Sequence, residues 1–216
     1  VRIDDEPWNR TILGARVDVY LCPSDPLAWR MVRSSSYAGN TGDGWYSQGF
    51  NGLFAPDDSA PSNVAPRDVA DGLSGTAAMS EWLIGTMLDA DPRRHFFRPK
   101  TLAAPYDGGQ FAQACASAGS RPTEAHIRNL KASAWQVGEW SRSLYDHALP
   151  INGVNCISPD FARFLGSCPA GSQHAAGANV LLGDGAVRFT KASIDLKVWQ
   201  ALGTRNAGEI VSSEAF

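Results

Sequence analysis

The sequence has few charged residues and lacks any long apolar run. Charged residues make up 19% of the 216 residues, and the formal net charge is −3. This small negative charge gives no electrostatic attraction to nucleic acid or to an anionic membrane. No apolar stretch approaches the roughly 20 residues that span a bilayer, and no signal peptide is visible. We therefore expect no nucleic-acid partner, and membrane contact only through a segment outside this sequence.

The common signatures of catalysis are also missing. The sequence has no GxGxxG fingerprint after a strand, no GKS or GKT loop, no GxSxG elbow and no HExxH helix. The histidines His95, His126, His147 and His174 have no adjacent Cys or Ser that suggests a nucleophilic dyad. The sequence therefore carries no recognisable motif of a nucleotide-binding site, a GxSxG hydrolase or a zincin, and the question of enzymatic activity stays open.

Cysteine is scarce, with four residues at positions 22, 115, 156 and 168. None forms a CxxC pair and no histidine stands at metal-like spacing around them, which disfavours a zinc site. An even number at wide spacing suits one or two disulfides in an oxidising compartment. Four reduced, buried cysteines in a cytosolic protein are the alternative. The residues alone do not decide the pairing.

Glycine and proline are plentiful, with 21 and 13 residues, so turns and loops are expected. The longest loop is predicted over 34–63, which is rich in Gly, Asn, Ser and Asp and has little periodicity. Loops of this length are often functional. The aromatic side chains in it either pin the segment to the core or offer ring faces to a sugar. The second interpretation gives the candidate ligand-binding residues Tyr37, Asn40, Trp45, Tyr46 and Asn51.

Calcium is the candidate cofactor, and no other is expected. The loops "GNTGDG" (39–44) and "APDDSAPSN" (55–63) offer carboxylate and carbonyl oxygens, the ligands that Ca²⁺ takes. Neither loop has the Asp-x-Asp-x-Asp-Gly spacing of an EF-hand. The alternative to calcium binding is that these carboxylates are solvated groups on the protein surface.

The clearest element is a hairpin over 180–190, where apolar runs flank Asp184-Gly185. Asp-Gly between such runs favours a type I′ turn, in which both central residues have φ > 0. The following segment, 193–205, predicts a short helix with Ser193 as its N-cap and Gly203 at C′.

Other elements are indicated by weaker patterns. Alternation predicts a strand within 15–26, and a β-like run extends over 76–84. Composition suggests helices at 108–117 and 122–133, and the chain closes with a short predicted strand at 208–212. Glu81 lies inside the second run. A buried glutamate needs a partner, and we expect either Arg188 or His174 to supply it. The alternative is that Glu81 points outward on an edge strand.

His174 and Asp184 raise the question of a shared site, because nine residues separate them in "HAAGANVLLGDGAVRF". One hypothesis is an enzyme that uses His174, Asp184 and Glu81 as a hydrolytic or metal constellation. A hairpin argues against it, since the Asp at the tip projects away from the strand ends where His174 lies. We therefore expect His174 to contact a backbone carbonyl or Glu81 rather than Asp184.

Several phrases occur together in an order that resembles a known family. They are "YLCPSDP" (20–26), "SYAGNTG" (36–42), "NGLF" (51–54), "DGLSGTAAMSE" (71–81), "PINGVNC" (150–156), "HAAGANVLLGDGAVRF" (174–189) and "WQALGTRNAGEIVS" (199–212). The resemblance is to a large bacterial family of prepilin-like envelope proteins with a C-terminal His-x9-Asp-Gly signature. That family carries a domain-of-unknown-function label and is also labelled solute-binding-protein-like. Here the signature residues are His174, Asp184 and Gly185, with Glu81 in a second shared phrase.

The resemblance implies a fold and a location. It implies an α+β, pilin-like head over 1–216 as a single domain, with an antiparallel sheet, long irregular loops and a few short helices. The segment 86–135 matches nothing firm and is a candidate insertion. Family members begin with a prepilin leader and an apolar helix, which we expect to be missing from this sequence. The resemblance also implies export to the periplasm or cell surface and favours a disulfide between Cys115 and Cys156.

Three functional hypotheses follow. The first is a non-enzymatic, pseudopilin-like head whose partners are other pilin-like subunits or envelope proteins, in surface or secretion-related (type II) filament assembly. The second is a binding module for glycans or another small ligand through the loop aromatics. The third is the hydrolase or metal-dependent enzyme considered above.

Overall fold

A computed structural model describes residues 10–45, 49–56, 63–86, 91–99, 107–119, 126–127, 131–158, 165–209 and 211–212. The helices are α1 (Arg10–Leu13), α2 (Gly108–Gly119) and α3 (Leu196–Gly203). The strands are β1 (Tyr37–Asn40), β2 (Ala77–Glu81), β3 (Phe96–Phe97), β4 (His126–Ile127), β5 (Leu144–Tyr145), β6 (Asn155–Ile157), β7 (Gly166–Ser167), β8 (Gly177–Leu182) and β9 (Val187–Lys191). This mixture confirms the α+β class.

The strands form two sheets. The larger sheet has the order β5-β1-β2-β8-β9 and the smaller has β4-β3-β6-β7. The larger sheet is antiparallel through β1, β2, β8 and β9, as expected, whereas β5 pairs with β1 and β6 pairs with β3 in parallel. Parallel pairing needs a long crossover, and the chain between β1 and β5 supplies one of about a hundred residues.

The larger sheet buries one face and leaves the other partly open. Along β8, Ala178, Val180 and Leu182 are buried, whereas the alternate residues Asn179 and Leu181 are half-buried. This follows from the period of two in a strand. The buried face packs against Trp199 and Leu202 of α3 in the main hydrophobic core. The open face therefore carries the alternate side chains of β1, β2, β8 and β9.

The smaller sheet is tied to α2 by a disulfide. Cys115 of α2 bonds to Cys156 of β6, which confirms the pairing that the family resemblance favoured. Phe111 and Leu165 are buried beside it in a second hydrophobic cluster. The candidate insertion 86–135 thus contributes β3, α2 and β4 to this part of the fold.

The predicted hairpin forms, with β8 and β9 paired from Gly177↔Lys191 to Leu181↔Val187. The predicted type I′ turn is wrong, because among the turn residues Gly185 has positive φ, at 91°, and Asp184 does not. The N–H of Gly185 donates to the carbonyl of Leu182, so Gly183 and Asp184 occupy an ordinary turn before a left-handed Gly185. This is the three-residue loop with a glycine bulge.

The helix predicted over 193–205 forms as α3, but with different ends. Asp195, not Ser193, is the N-cap, since its carboxylate accepts hydrogen bonds from the backbone N–H groups of Lys197 and Val198. Gly203 is the last residue of α3 rather than C′. A Cβ at Gly203 would lie 2.6 Å from Cγ of His147, so close packing explains this glycine.

Three weaker predictions are wrong. The segment 15–26 holds a 3-10 helix, Asp18–Tyr20, instead of a strand. His126–Ile127 is a strand of the smaller sheet, where a helix over 122–133 was predicted. The described residues of 208–212 lie in no strand. In each case the local pattern was short, and tertiary contacts decided the conformation.

The predicted loop 34–63 is only partly irregular, because it contains the strand β1 near its start. The helix predicted at 108–117 is confirmed as α2 and the β-like run at 76–84 as β2. Within the described part of the chain, no helix is both long enough and apolar enough to span a bilayer.

Candidate functional site

Three polar side chains from distant parts of the sequence meet at one end of the larger sheet. They are Cys22, Glu81 and His174, and their potential ligand atoms all lie within 4.8 Å of one another. Cys22 and Glu81 are buried, whereas the side chain of His174 is 34% exposed. The site is therefore reached from solvent past the imidazole.

Glu81 is held by the register of two strands. Met79 pairs with Leu181 and Ser80 pairs with Val180, so Glu81 lies opposite Asn179 on the open face. The backbone N–H and the side-chain amide of Asn179 both donate to Oε2 of Glu81, at 2.7 and 3.1 Å. These bonds stabilise a buried carboxylate and leave its other oxygen, Oε1, directed at His174.

His174 and Cys22 are fixed by turns. The backbone N–H of His174 donates to Oγ of Ser172, which places the ring just before β8. The backbone N–H of Cys22 donates to Oγ of Ser36 beside β1. The Cys22 turn is anchored further by Asp25, whose buried carboxylate forms a bidentate ion pair with Arg94. Two long-range contacts thus hold the thiol at the sheet.

Both partners of His174 approach the same ring atom. Nε2 of His174 lies 3.2 Å from Oε1 of Glu81 and 3.7 Å from Sγ of Cys22. A thiol–imidazole nucleophile relay needs the third group on the opposite ring nitrogen, where it orients the base. In this site the thiol and the carboxylate compete for one nitrogen, so the arrangement is not that of a relay.

The electrostatics agree with an unactivated thiol. Burial raises the pKa of the Cys22 thiol, and the Glu81 carboxylate raises it further. Burial also raises the pKa of Tyr37, which pairs with Glu81 across the β1–β2 ladder, and the Glu81 carboxylate and an ionised Cys22 act in the same direction. Nucleophilic cysteines have lowered pKa values, so Cys22 in this state is a neutral thiol.

A cavity of about 500 Å³ lies on the open face of the sheet next to this cluster. Its walls include Tyr20, Tyr37, Met79, Trp135, Leu181 and Val187. None of its described lining residues carries a charge. Asn179 belongs to both the cavity and the polar cluster, so the two are continuous.

The predicted ligand-binding residues do not share one surface. Tyr37 lines the cavity. Asn40 is buried, and its amide donates to the carbonyls of Ala77 and Gly203. Those bonds fix β1 to β2 and to the end of α3.

Two other predicted ligand-binding residues, Trp45 and Asn51, contact side chains away from the cavity. The ring of Trp45 packs edge-on against Phe111, with ring centroids 4.9 Å apart. The side-chain amide of Asn51 donates to the carboxylate of Asp43, which is one of the carboxylates of the candidate calcium loop. Tyr46 lies outside the described residues, as do Asp57 and Asp58 of the second candidate loop.

The signature residues separate into two places. His174 contacts Glu81, as expected, and precedes the first pair of the β8–β9 ladder. Asp184 lies in the turn beyond the last pair, where its carboxylate accepts the backbone N–H of Ala186. Asp184 and Gly185 thus shape the turn, and His174 belongs to the polar cluster.

Sequence reasoning missed Cys22 and Asn179. The absence of CxxC spacing directed attention away from Cys22, which lies 152 residues from its imidazole partner. Asn179 can be identified only with the strand register, because a polar residue is expected opposite a buried glutamate. The sequence alone does not give that register.

A family model matches residues 2–197, and its description is "Protein of unknown function (DUF1559)", with the label SBP_bac_10. No curated protein matches this chain, and no solved structure matches it either.

Proposed function

The chain belongs to the DUF1559 family of proteins of unknown function, and on that premise we propose that it is the exported, non-enzymatic head of a pilin-like envelope protein. In this proposal the open face of the larger sheet packs on the apolar helix of a pilin-like subunit. The partners are then other subunits or envelope proteins at the cell surface or in the periplasm.

The observation that carries the proposal is the apolar cavity wall on the open face of the larger sheet, whose described lining residues carry no charge. Val187 and Phe189 of the edge strand β9 are 65% and 45% exposed, and they continue the apolar wall formed by Met79 and Leu181. Large contiguous apolar patches on a protein surface mark interaction sites. An apolar helix complements such a face, whereas a polar ligand leaves its hydrogen-bonding groups unsatisfied there.

The disulfide supports export. Cys115–Cys156 joins α2 to β6 in the interior of the second cluster. Structural disulfides persist in the periplasm and at cell surfaces, and they are rare in the cytosol. A stable bond at this position is therefore consistent with an extracytoplasmic location.

Location is tested with the full-length gene product in its native host. We expect the protein in the envelope or surface fraction, processed by a prepilin peptidase, with Cys115 and Cys156 oxidised. A cytosolic, unprocessed protein with reduced cysteines would contradict the proposal.

The sheet face is tested with Leu181→Glu in the same full-length protein. Burial of a leucine side chain stabilises by about 1.5–3 kcal/mol, and a carboxylate adds a desolvation cost, so we expect at least a tenfold loss of crosslinked subunit complexes. We expect the isolated head with Leu181→Glu to keep its fold and its disulfide, because Leu181 is only half-buried. The readout is the amount of complex recovered after crosslinking in cells.

The matched control is Val32→Glu, which places the same carboxylate at a position that is 59% exposed and is not part of the cavity wall. We expect wild-type complex formation from this variant. Equal recovery of complexes from Leu181→Glu and Val32→Glu would show that the sheet face is not the contact.

A further inference from the structure

We propose that Cys22, Glu81 and His174 bind one divalent transition-metal ion, with Zn²⁺ as the best match. The inference is independent of the proposed function, because it rests on the donor atoms at one end of the sheet and not on the apolar face. It also reverses the expectation from sequence that the cysteines hold no zinc.

The convergence of the three donors is the first argument. Tetrahedral Zn²⁺, with ligand distances of about 2.0–2.3 Å, separates its ligand atoms by about 3.3–3.7 Å. Nε2 of His174 lies 3.2 Å from Oε1 of Glu81 and 3.7 Å from Sγ of Cys22. All three donors lie within 4.8 Å of one another. The donor spacing is therefore close to that of a coordination shell, and small side-chain shifts complete it.

The second argument is that each of the three groups contacts the other two. Nε2 of His174 lies beside Oε1 of Glu81 and Sγ of Cys22, and the Cys22 thiol also hydrogen-bonds to the Glu81 carboxylate. A cation placed between the three atoms attracts all of them at once. Binding releases the thiol proton to water as the metal–sulfur bond forms, which leaves the ligand set S⁻, O⁻ and neutral N.

The third argument is an outer shell that fixes one ligand. Asn179 holds Oε2 of Glu81 through two hydrogen bonds, which aims Oε1 at the ring nitrogen. Outer-shell hydrogen bonds of this kind orient ligands in known metal sites. The partly exposed His174 leaves an entry path and room for a water as fourth ligand.

The donor set selects the metal. Thiolate and imidazole disfavour Ca²⁺ and Mg²⁺, which take oxygen ligands. A carboxylate beside one thiolate and one imidazole suits Zn²⁺ or Co²⁺, and three protein ligands with an open position characterise zinc sites that keep a water.

The experiment uses the purified chain with its disulfide intact, stripped with EDTA and kept anaerobic. Co²⁺ is added as a spectroscopic probe and Zn²⁺ is titrated by calorimetry. We expect one ion per chain, a thiolate-to-cobalt charge-transfer band with tetrahedral d–d bands, and displacement of Co²⁺ by Zn²⁺. Zn²⁺ should also raise the melting temperature, since an ion that binds only the folded state stabilises it.

Three variants decide the assignment. His174→Ala and Cys22→Ser should each weaken Zn²⁺ binding at least tenfold, and Cys22→Ser should abolish the charge-transfer band. Asn179→Ala should weaken binding by about 10-fold, in the range measured for outer-shell partners. Melting curves and the formation of the disulfide show whether each variant folds. His174 is partly exposed, so its replacement is the most easily tolerated.

The matched control is Cys168→Ala, which removes the other free thiol. Cys168 lies at a different site, where its backbone N–H donates to Asp146. This variant should bind Zn²⁺ like the wild type. Binding that survives in His174→Ala and Cys22→Ser, or a Co²⁺ spectrum without the thiolate band, would overturn the proposal.

Discussion

At the scale of single residues, buried polar groups carry the most information. Glu81 in an apolar run predicted a partner, and His174 is one of the two that were expected. Asn179 makes the shorter contact, through its backbone N–H at 2.7 Å. A buried carboxylate without such bonds would be strongly destabilising, so the need for partners was predictable and their identity was not.

His147 shows the same rule with a titratable ring. Nδ1 donates to the carbonyl of Trp199, and Nε2 accepts from the hydroxyl of Tyr145, so the imidazole is neutral. Burial lowers the pKa of His147 from 6.5 to about 3. The ring also stacks on Trp199, with centroids 3.8 Å apart.

This shift predicts a pH dependence of stability. Between pH 6.5 and pH 3 the unfolded state protonates His147 and the folded state does not, so lowering the pH favours unfolding. From pH 7 to pH 5, we expect the free energy of unfolding to fall by about 2 kcal/mol through this group. Urea unfolding at each pH measures it. His174→Ala is the control, and its free energy of unfolding should fall with pH as that of the wild type does. A wild-type free energy of unfolding that stays constant from pH 7 to pH 5 would contradict the lowered pKa of His147.

At the scale of elements, turns and helix ends depend on one or two side chains. The hairpin at 180–190 was predictable because Asp-Gly between apolar runs is a strong local signal. Its turn type was not, because the three-residue loop uses Gly183 as well and needs positive φ only at Gly185. The helix α3 was equally evident from its apolar stripe, whereas its cap was assigned two residues too early.

The cap gives a direct test. Asp195→Ala should lower the free energy of unfolding by about 1 kcal/mol, because the carboxylate accepts two backbone N–H groups that lack helical partners. Ser193→Ala should change it by less than about 0.5 kcal/mol, since an exposed residue outside the cap contributes little. Chemical denaturation of both variants decides between the two positions, and a larger loss from Ser193→Ala would contradict the structure.

At the scale of the whole molecule, two sheets share one chain and are stabilised differently. The larger sheet buries one face against Trp199 and Leu202 of α3. The smaller sheet is made of strands of two or three residues, and the Cys115–Cys156 bond attaches it to α2. Short strands bury little apolar surface, so the covalent link matters most in this part of the molecule.

Removing the disulfide should therefore be costly. The bond closes a loop of 41 residues, and a link of this length stabilises by about 2–4 kcal/mol. We expect Cys115→Ala/Cys156→Ala to lose that amount in urea unfolding at neutral pH.

The accompanying control counts thiols by mass spectrometry after alkylation of the unfolded protein. Without reductant, two thiols should react, those of Cys22 and Cys168, and after reduction all four cysteines should react. Four alkylated thiols without reductant would show that the bond is not formed.

Local sequence patterns predicted the hairpin, the helices α2 and α3 and a partner for a buried Glu81, because each of these depends on only a few neighbouring residues. The family resemblance added the α+β class and the disulfide. The parallel pairs, the apolar cavity wall and the contact between Cys22 and His174 became visible only in the folded structure. The physical reason is that strand register and sheet order are set by contacts across the whole chain. Cys22 and His174 are 152 positions apart in the sequence, and only these long-range contacts bring them together. No local sequence pattern indicates that they meet.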